Sequence, residues 1–187
     1  MFAIAITLLV LEIQVPEGAE HDPLRALADL WPSYLAYLVS FATIGTVWFA
    51  HTVITEHIDH ATSDFVRLNL LLLIVVSFIP FPTKLLGDFA GTDRSERVAT
   101  TVYGVNLLLT SLILSLLWRY AVRERLVRPH TADQDVQMMT KRLTPGLTGY
   151  LIALRIGLVL PEVAVLIYLV IAVFILVPLR AILRRVT

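Results

Sequence analysis

Ile4, Thr7, Leu8, Leu11 and Glu12 are spaced to line a conduit. On a helical wheel at about 100° per residue, Ile4, Leu8 and Leu11 fall within about 40° of one line. Thr7 lies at the edge of that stripe, and Ala3 and Leu9 are assigned to the opposite side. Symmetric copies of the stripe would stack rings of aliphatic side chains that gate by excluding water. They would add one ring of hydroxyls able to touch a dehydrated cation, and an acidic ring of Glu12 at the outer mouth. The plain alternative is a helix packed on its neighbours, with the Thr7 hydroxyl bonded back to a carbonyl three or four residues earlier.

The other candidate groups are weaker. His57 and His60 are three apart, so one helix face could present both to a metal, but the chain has no cysteine to support them. His51 ends an apolar run together with Trp48, and both read as structural polar partners. Asn69 and Ser77 could bond across helices, for fractions of a kcal/mol to about 2 kcal/mol. Arg155 interrupts an apolar stretch, where a charge is expensive and usually faces the bundle interior, and it reads as half of an inter-helix structural pair or as snorkelling to the interface. Glu162 follows it two helical turns on. Thr101-Val102-Tyr103-Gly104 superficially resembles a potassium filter, Thr-Val-Gly-Tyr-Gly. Its glycine and tyrosine are in the wrong order, and it opens an apolar helix with no pore helix before it, so it is read as coincidence. No catalytic triad, metalloprotease helix or phosphate loop is present. The chain is therefore not expected to be an enzyme, and no cofactor is expected beyond a permeant ion.

These residues need a membrane to hold them. Of 187 residues, 57% are hydrophobic and only 16% charged, and mean hydropathy is +0.78. Soluble domains run nearer about 25% charged. Fifteen basic residues balance fifteen acidic ones, which gives no reason to expect a nucleic-acid partner. A spanning helix needs about 20 apolar residues. The pattern predicts an all-α integral membrane protein with one domain over 1–187. Six spans are predicted, at about 1–13, 30–51, 65–82, 98–119, 143–160 and 163–183. Prolines 80 and 82 should end or kink the third near Phe78. The first offers eleven residues before Glu12, roughly 16 Å of helix, and reads as a spanning helix whose opening turns precede Met1. Arg119, Arg123, Arg125, Arg128, Lys141 and Arg142, with Arg180, Arg184 and Arg185, place one face in the cytoplasm. Glu12, Glu17, Glu20, Asp22 and Asp29 place the other outside. Both termini are then cytoplasmic and the protein is multi-pass.

Phe2 to Ile13 resembles the first helix of the transmembrane protein 175 family, the endosomal and lysosomal potassium channels and their bacterial relatives. Trp31-Pro32-Ser33-Tyr34-Leu35-Ala36-Tyr37, Ser40-Phe41, Ile44-Gly45 and Trp48-Phe49-Ala50-His51 resemble its second helix. Asn69 to Leu73 and Val76 to Thr83 resemble its third. The resemblance implies a homotetramer in a bacterial plasma membrane, with the first helices lining a central pore. By position it implies Ile4 as the narrowest hydrophobic gate, Leu8 and Leu11 as further rings, and Thr7 as the layer that prefers potassium. The family's first helix opens with an Arg-x-x-x-Phe-Ser-Asp motif, and this sequence starts just after it. His51 and Asn69 are implied as partners of that motif. The expectation is a potassium-preferring cation channel without a re-entrant carbonyl filter. The rival readings are a small secondary or proton-coupled carrier using Arg155 and the histidines, and a non-conducting scaffold.

Overall fold

The computed structural model describes the backbone of residues 2–15, 21–128 and 133–186. Side chains are described for the same residues apart from 93, 133–139, 141–145 and 176–186. Glu17 and Glu20, and the side chains of Lys141, Arg142, Arg180, Arg184 and Arg185, lie outside them.

The described residues are helical almost throughout. In chain order they form α1 (Phe2–Leu11), α2 (Pro23–Asp29), α3 (Trp31–Glu56), α4 (Ser63–Ser77), α5 (Pro80–Asp88), α6 (Asp93–Arg123), α7 (Asp133–Gly157) and α8 (Pro161–Val186). The chain is an all-α membrane protein. Among the described residues three stretches are long and apolar enough to cross a membrane: Trp31–Glu56, Ser63–Asp88 and Arg94–Arg123. Phe2–Leu11, Gly146–Gly157 and Pro161–Ile175 are shorter apolar helices. An antiparallel bridge between Ile58 and Val127 ties the α3–α4 turn to the segment after α6. It is closed by Asp59 N–H to Leu126 C=O and Arg128 N–H to His57 C=O, both 2.9 Å.

The third span breaks at Phe78 and then resumes. Pro80 and Pro82 lack the N–H groups that the carbonyls of Val76 and Phe78 would accept in a continuous α-helix. Tighter bonds serve those carbonyls instead, Ile79 N–H to Val76 at 3.1 Å and Phe81 N–H to Phe78 at 3.2 Å. Pro80 then sits at the start of α5, where its missing donor costs nothing.

Apolar side chains gain little by leaving lipid for protein, so the interior is held by close packing and hydrogen bonds. Its composition fits that rule. Ala36, Ser40, Thr43, Thr46 and Ala50 are buried on α3, and Ala99, Thr100, Thr110 and Ala121 on α6. Gly104 admits the Tyr168 ring, because a Cβ there would collide with the Tyr168 hydroxyl. A chain of hydroxyls joins α3, α5 and α6. Thr83 donates to the Ile79 carbonyl at 2.8 Å, so its oxygen accepts from Ser40 at 2.6 Å. Ser40 in turn accepts from the Tyr103 hydroxyl at 3.0 Å. This clamps α5 just past the proline break. Helix α3 packs on α1, α5 and α8, and α6 packs on α4, α5 and α7.

Candidate functional site

Helix α1 packs on α3, with α4 and α5 beside it, and its two faces differ sharply. Phe2, Ala5 and Leu9 are buried, Leu9 completely. Ile4 is 60% exposed, Leu8 40% and Leu11 65%, and Thr7 is exposed with them. The stripe therefore faces away from its own subunit. Ala3 is also exposed, not on the covered side. It sits about 100° from Ile4, on the flank of the helix, so the covered face is centred on Phe2, Ala5 and Leu9.

Both ends of α1 are fastened. At the start, the Phe2 ring lies 5.3 Å from the His51 ring, between centroids. His51 is itself fixed by its Nε2–H, which donates to Asn69 Oδ1 at 2.8 Å and joins α3 to α4. At the other end Glu12 lies 3.9 Å from the Lys84 ammonium of α5. Both side chains are about a third exposed, so this pair contributes about 1 kcal/mol at most. Its larger effect is on the field. A cation beside Glu12 offsets part of the negative potential that the carboxylate projects.

Thr7 adopts the geometry of the plain alternative and still keeps a free face. Its hydroxyl donates to the Ile4 carbonyl at 2.9 Å. The proton is then occupied within the helix while the oxygen lone pairs remain on the exposed side. Such an oxygen can accept or ligate but cannot donate, which suits contact with a cation.

The remaining expected residues divide. His51 and Asn69 meet. Trp48 is 52% exposed and makes no inter-helix bond through its indole among the described residues. Ser77 is exposed and donates to the Ile74 carbonyl of its own helix at 2.9 Å, so it bonds no neighbouring helix within the subunit. Arg155 does not face the bundle interior. Helix α7 ends at Gly157, which puts Arg155 in the last turn and exposed. There a cation complements the helix dipole, exposed and without a buried partner. His57 is bonded to the Val53 carbonyl at 2.7 Å, and His60 lies near Asp59. Among the described residues no three histidines or carboxylates gather as a metal set. Tyr103, inside the filter-like tetrapeptide, is wholly buried on the continuous helix α6. Residue spacing alone does not reveal the Tyr103–Ser40–Thr83 chain as a unit. The available signal was hydroxyl residues inside otherwise apolar spans.

Comparison with known proteins shows which family the chain resembles as a whole. Residues 1–80 match the family described as endosomal/lysosomal potassium channel TMEM175. A potassium channel of Chamaesiphon minutus is 37% identical over 180 residues, covering 93% of this chain and 87% of that protein. The crystal structure of a lysosomal potassium-selective channel TMEM175 homolog from the same organism superposes with a TM-score of 0.85 at 35% identity. It covers 95% of this chain and 92% of that one. The human endosomal/lysosomal proton channel TMEM175 is 32% identical over 131 residues, 65% of this chain and 26% of that protein.

Proposed function

The chain belongs to the TMEM175 family of cation channels, not to a class of enzymes, and from that we propose a potassium-preferring pore lined by α1 in a homotetramer. The observation that carries this reading is the outward stripe of Ile4, Leu8 and Leu11, with the Thr7 oxygen among them. Its opposite face and both of its ends are held by α3, α4 and α5. A helix fixed in this way keeps a constant face toward a symmetry axis. Ile4 is proposed as the hydrophobic gate, with Leu8 and Leu11 as further rings. Apolar, narrow walls shed water and so resist ion entry. Thr7 supplies the ring of oxygens that favours the more easily dehydrated cation. Glu12, moderated by Lys84, faces the outer mouth.

Six crossings per subunit follow if α4 and α5 count as one span and the shorter α1, α7 and α8 also cross. Arg119, Arg123, Arg125 and Arg128, in and after the end of α6, support a reading in which that end faces the cytoplasm of a bacterial cell, with both termini on the same side. Potassium is favoured over protons as the main permeant ion because the relative matching nearly the full chain is named a potassium channel, whereas the proton channel matches over a smaller share.

The test is flux from proteoliposomes loaded with potassium, followed by planar-bilayer recording. Unitary potassium currents that exceed sodium currents support the reading. Slow saturable exchange would mean a carrier, and no flux would mean a scaffold.

A further inference from the structure

Helix α2 has three distinct sides. It runs from Pro23 to Asp29, and a single residue, Leu30, separates it from the spanning helix α3. Asp22 caps its start, where Oδ1 accepts the Arg25 N–H at 3.2 Å. On a wheel at about 100° per residue, Leu24, Leu27 and Ala28 occupy an arc of about 100°. All three are exposed, Leu24 to 82%. Arg25 and Asp29 share a second arc, centred about 130° from the first. They pair at 3.9 Å and are both largely exposed. Ala26, which is half-buried, lies on the third side, and α2 packs on α3. One flank therefore belongs to the subunit, one presents charge and one presents uncovered leucine.

Helix α3 fixes the level at which that leucine face sits. Trp31, Tyr34, Leu38, Phe41 and Trp48 are all exposed. They share one face of α3, within about 100° on the wheel. On a spanning helix such a face is the wall that meets lipid. Trp31 and Tyr34 stand at its beginning, and these are the residue types that settle where membrane meets water. Helix α2 ends two residues before Trp31, so it is tethered at the level of the lipid headgroups. We propose that α2 lies in the interface of the leaflet in which α3 begins, with Leu24 and Leu27 inserted among lipid chains and Arg25 and Asp29 in water. Interfacial helices bury their apolar face about 5–10 Å in this way. A second copy of the chain is a poorer occupant. A stable protein interface covers about 800 Å² per partner, far more than two leucines and an alanine offer. Arg25 stands against Asp22 and Asp29, so attraction to anionic lipid adds nothing, and zwitterionic lipid suffices. The proposal does not depend on which helix lines the pore.

The experiment uses the full chain in phosphatidylcholine nanodiscs. The chain has no cysteine, so bimane attached to Leu24→Cys reports that site alone. Leu27→Cys repeats the measurement at a second position on the same arc, and Arg25→Cys is the control on the charged one. All three positions are exposed, so labelling leaves the packed helices undisturbed. Two quenchers are compared: iodide from the water, and phosphatidylcholine carrying a nitroxide high on its acyl chain. The nitroxide lipid should quench bimane at Leu24→Cys and Leu27→Cys about threefold more than at Arg25→Cys, because only the apolar face reaches the chains. Iodide should show the reverse order. Iodide quenching at Leu24→Cys and Leu27→Cys as strong as at Arg25→Cys would place the arc in water. Protection of both sites from both quenchers would place protein over it. Either result overturns the proposal.

Discussion

Thr7 joins two readings that seemed exclusive. Its proton closes a bond to Ile4 within the helix, and its oxygen still faces outward. One oxygen per subunit supplies far fewer ligands than a stack of carbonyls, so discrimination should be modest. Thr7→Val removes the oxygen at nearly constant shape, and the reversal potential in mixed potassium and sodium should move to that of an unselective pore. Thr7→Ser should keep most of the preference. Equal reversal potentials for wild type and Val would leave Thr7 with only its intrahelical bond. Glu12 makes a second forecast possible because Lys84 stands beside it. Glu12→Gln should lower potassium conductance mainly at low salt, where the field reaches far; at 0.1 M it is screened over about 10 Å. Lys84→Gln should raise low-salt conductance by unmasking the carboxylates. A fall with Lys84→Gln at low and high salt alike would point to loss of the α1 anchor instead.

Helices in this protein are positioned by small residues and hydroxyls, and that is testable at Gly104. A methyl group there would collide with the Tyr168 hydroxyl and stand 2.8 Å from Leu154 Cδ1. Gly104→Ala should therefore force α6 and α8 apart and lower the thermal midpoint by several degrees. Asn69→Leu, which removes the acceptor for His51, should cost less, about 0.6 to 2 kcal/mol. A Gly104→Ala midpoint equal to wild type would show that Tyr168 rotates away freely. Periodicity and apolar runs made the helices legible, and the two prolines made the break at Phe78 legible, because both are local properties of the chain. Other features depend on which helices meet. Nothing in the local sequence brings Ser40, Thr83 and Tyr103 to one point, or turns Ser77 back on its own helix. Arg155 turns on the same kind of fact: α7 ends at Gly157, so an arginine that an uninterrupted span would leave at mid-membrane stands exposed in the last turn.

The subunit presents an apolar stripe on a ten-residue helix of roughly 15 Å. Such a face is equally content against lipid or against copies of itself, and only water at the stripe separates the two. The wheel located the stripe, since spacing alone fixes which residues share a face, but it could not locate the neighbours that cover the other side. The chain has no cysteine, so an introduced thiol reports its own surroundings without competition. Thiols react with silver as thiolates, which form in water and not in hydrocarbon. The direct test is Ile4→Cys in planar bilayers, exposed to low silver under a potassium gradient. Val10→Cys is the control, since Val10 is exposed but lies about 120° from Ile4 on the wheel. A rapid, lasting loss of current in Ile4→Cys, with Val10→Cys and wild type unaffected, is the predicted result. Persistent current in a silver-treated Ile4→Cys channel would contradict a pore lined by the first helix.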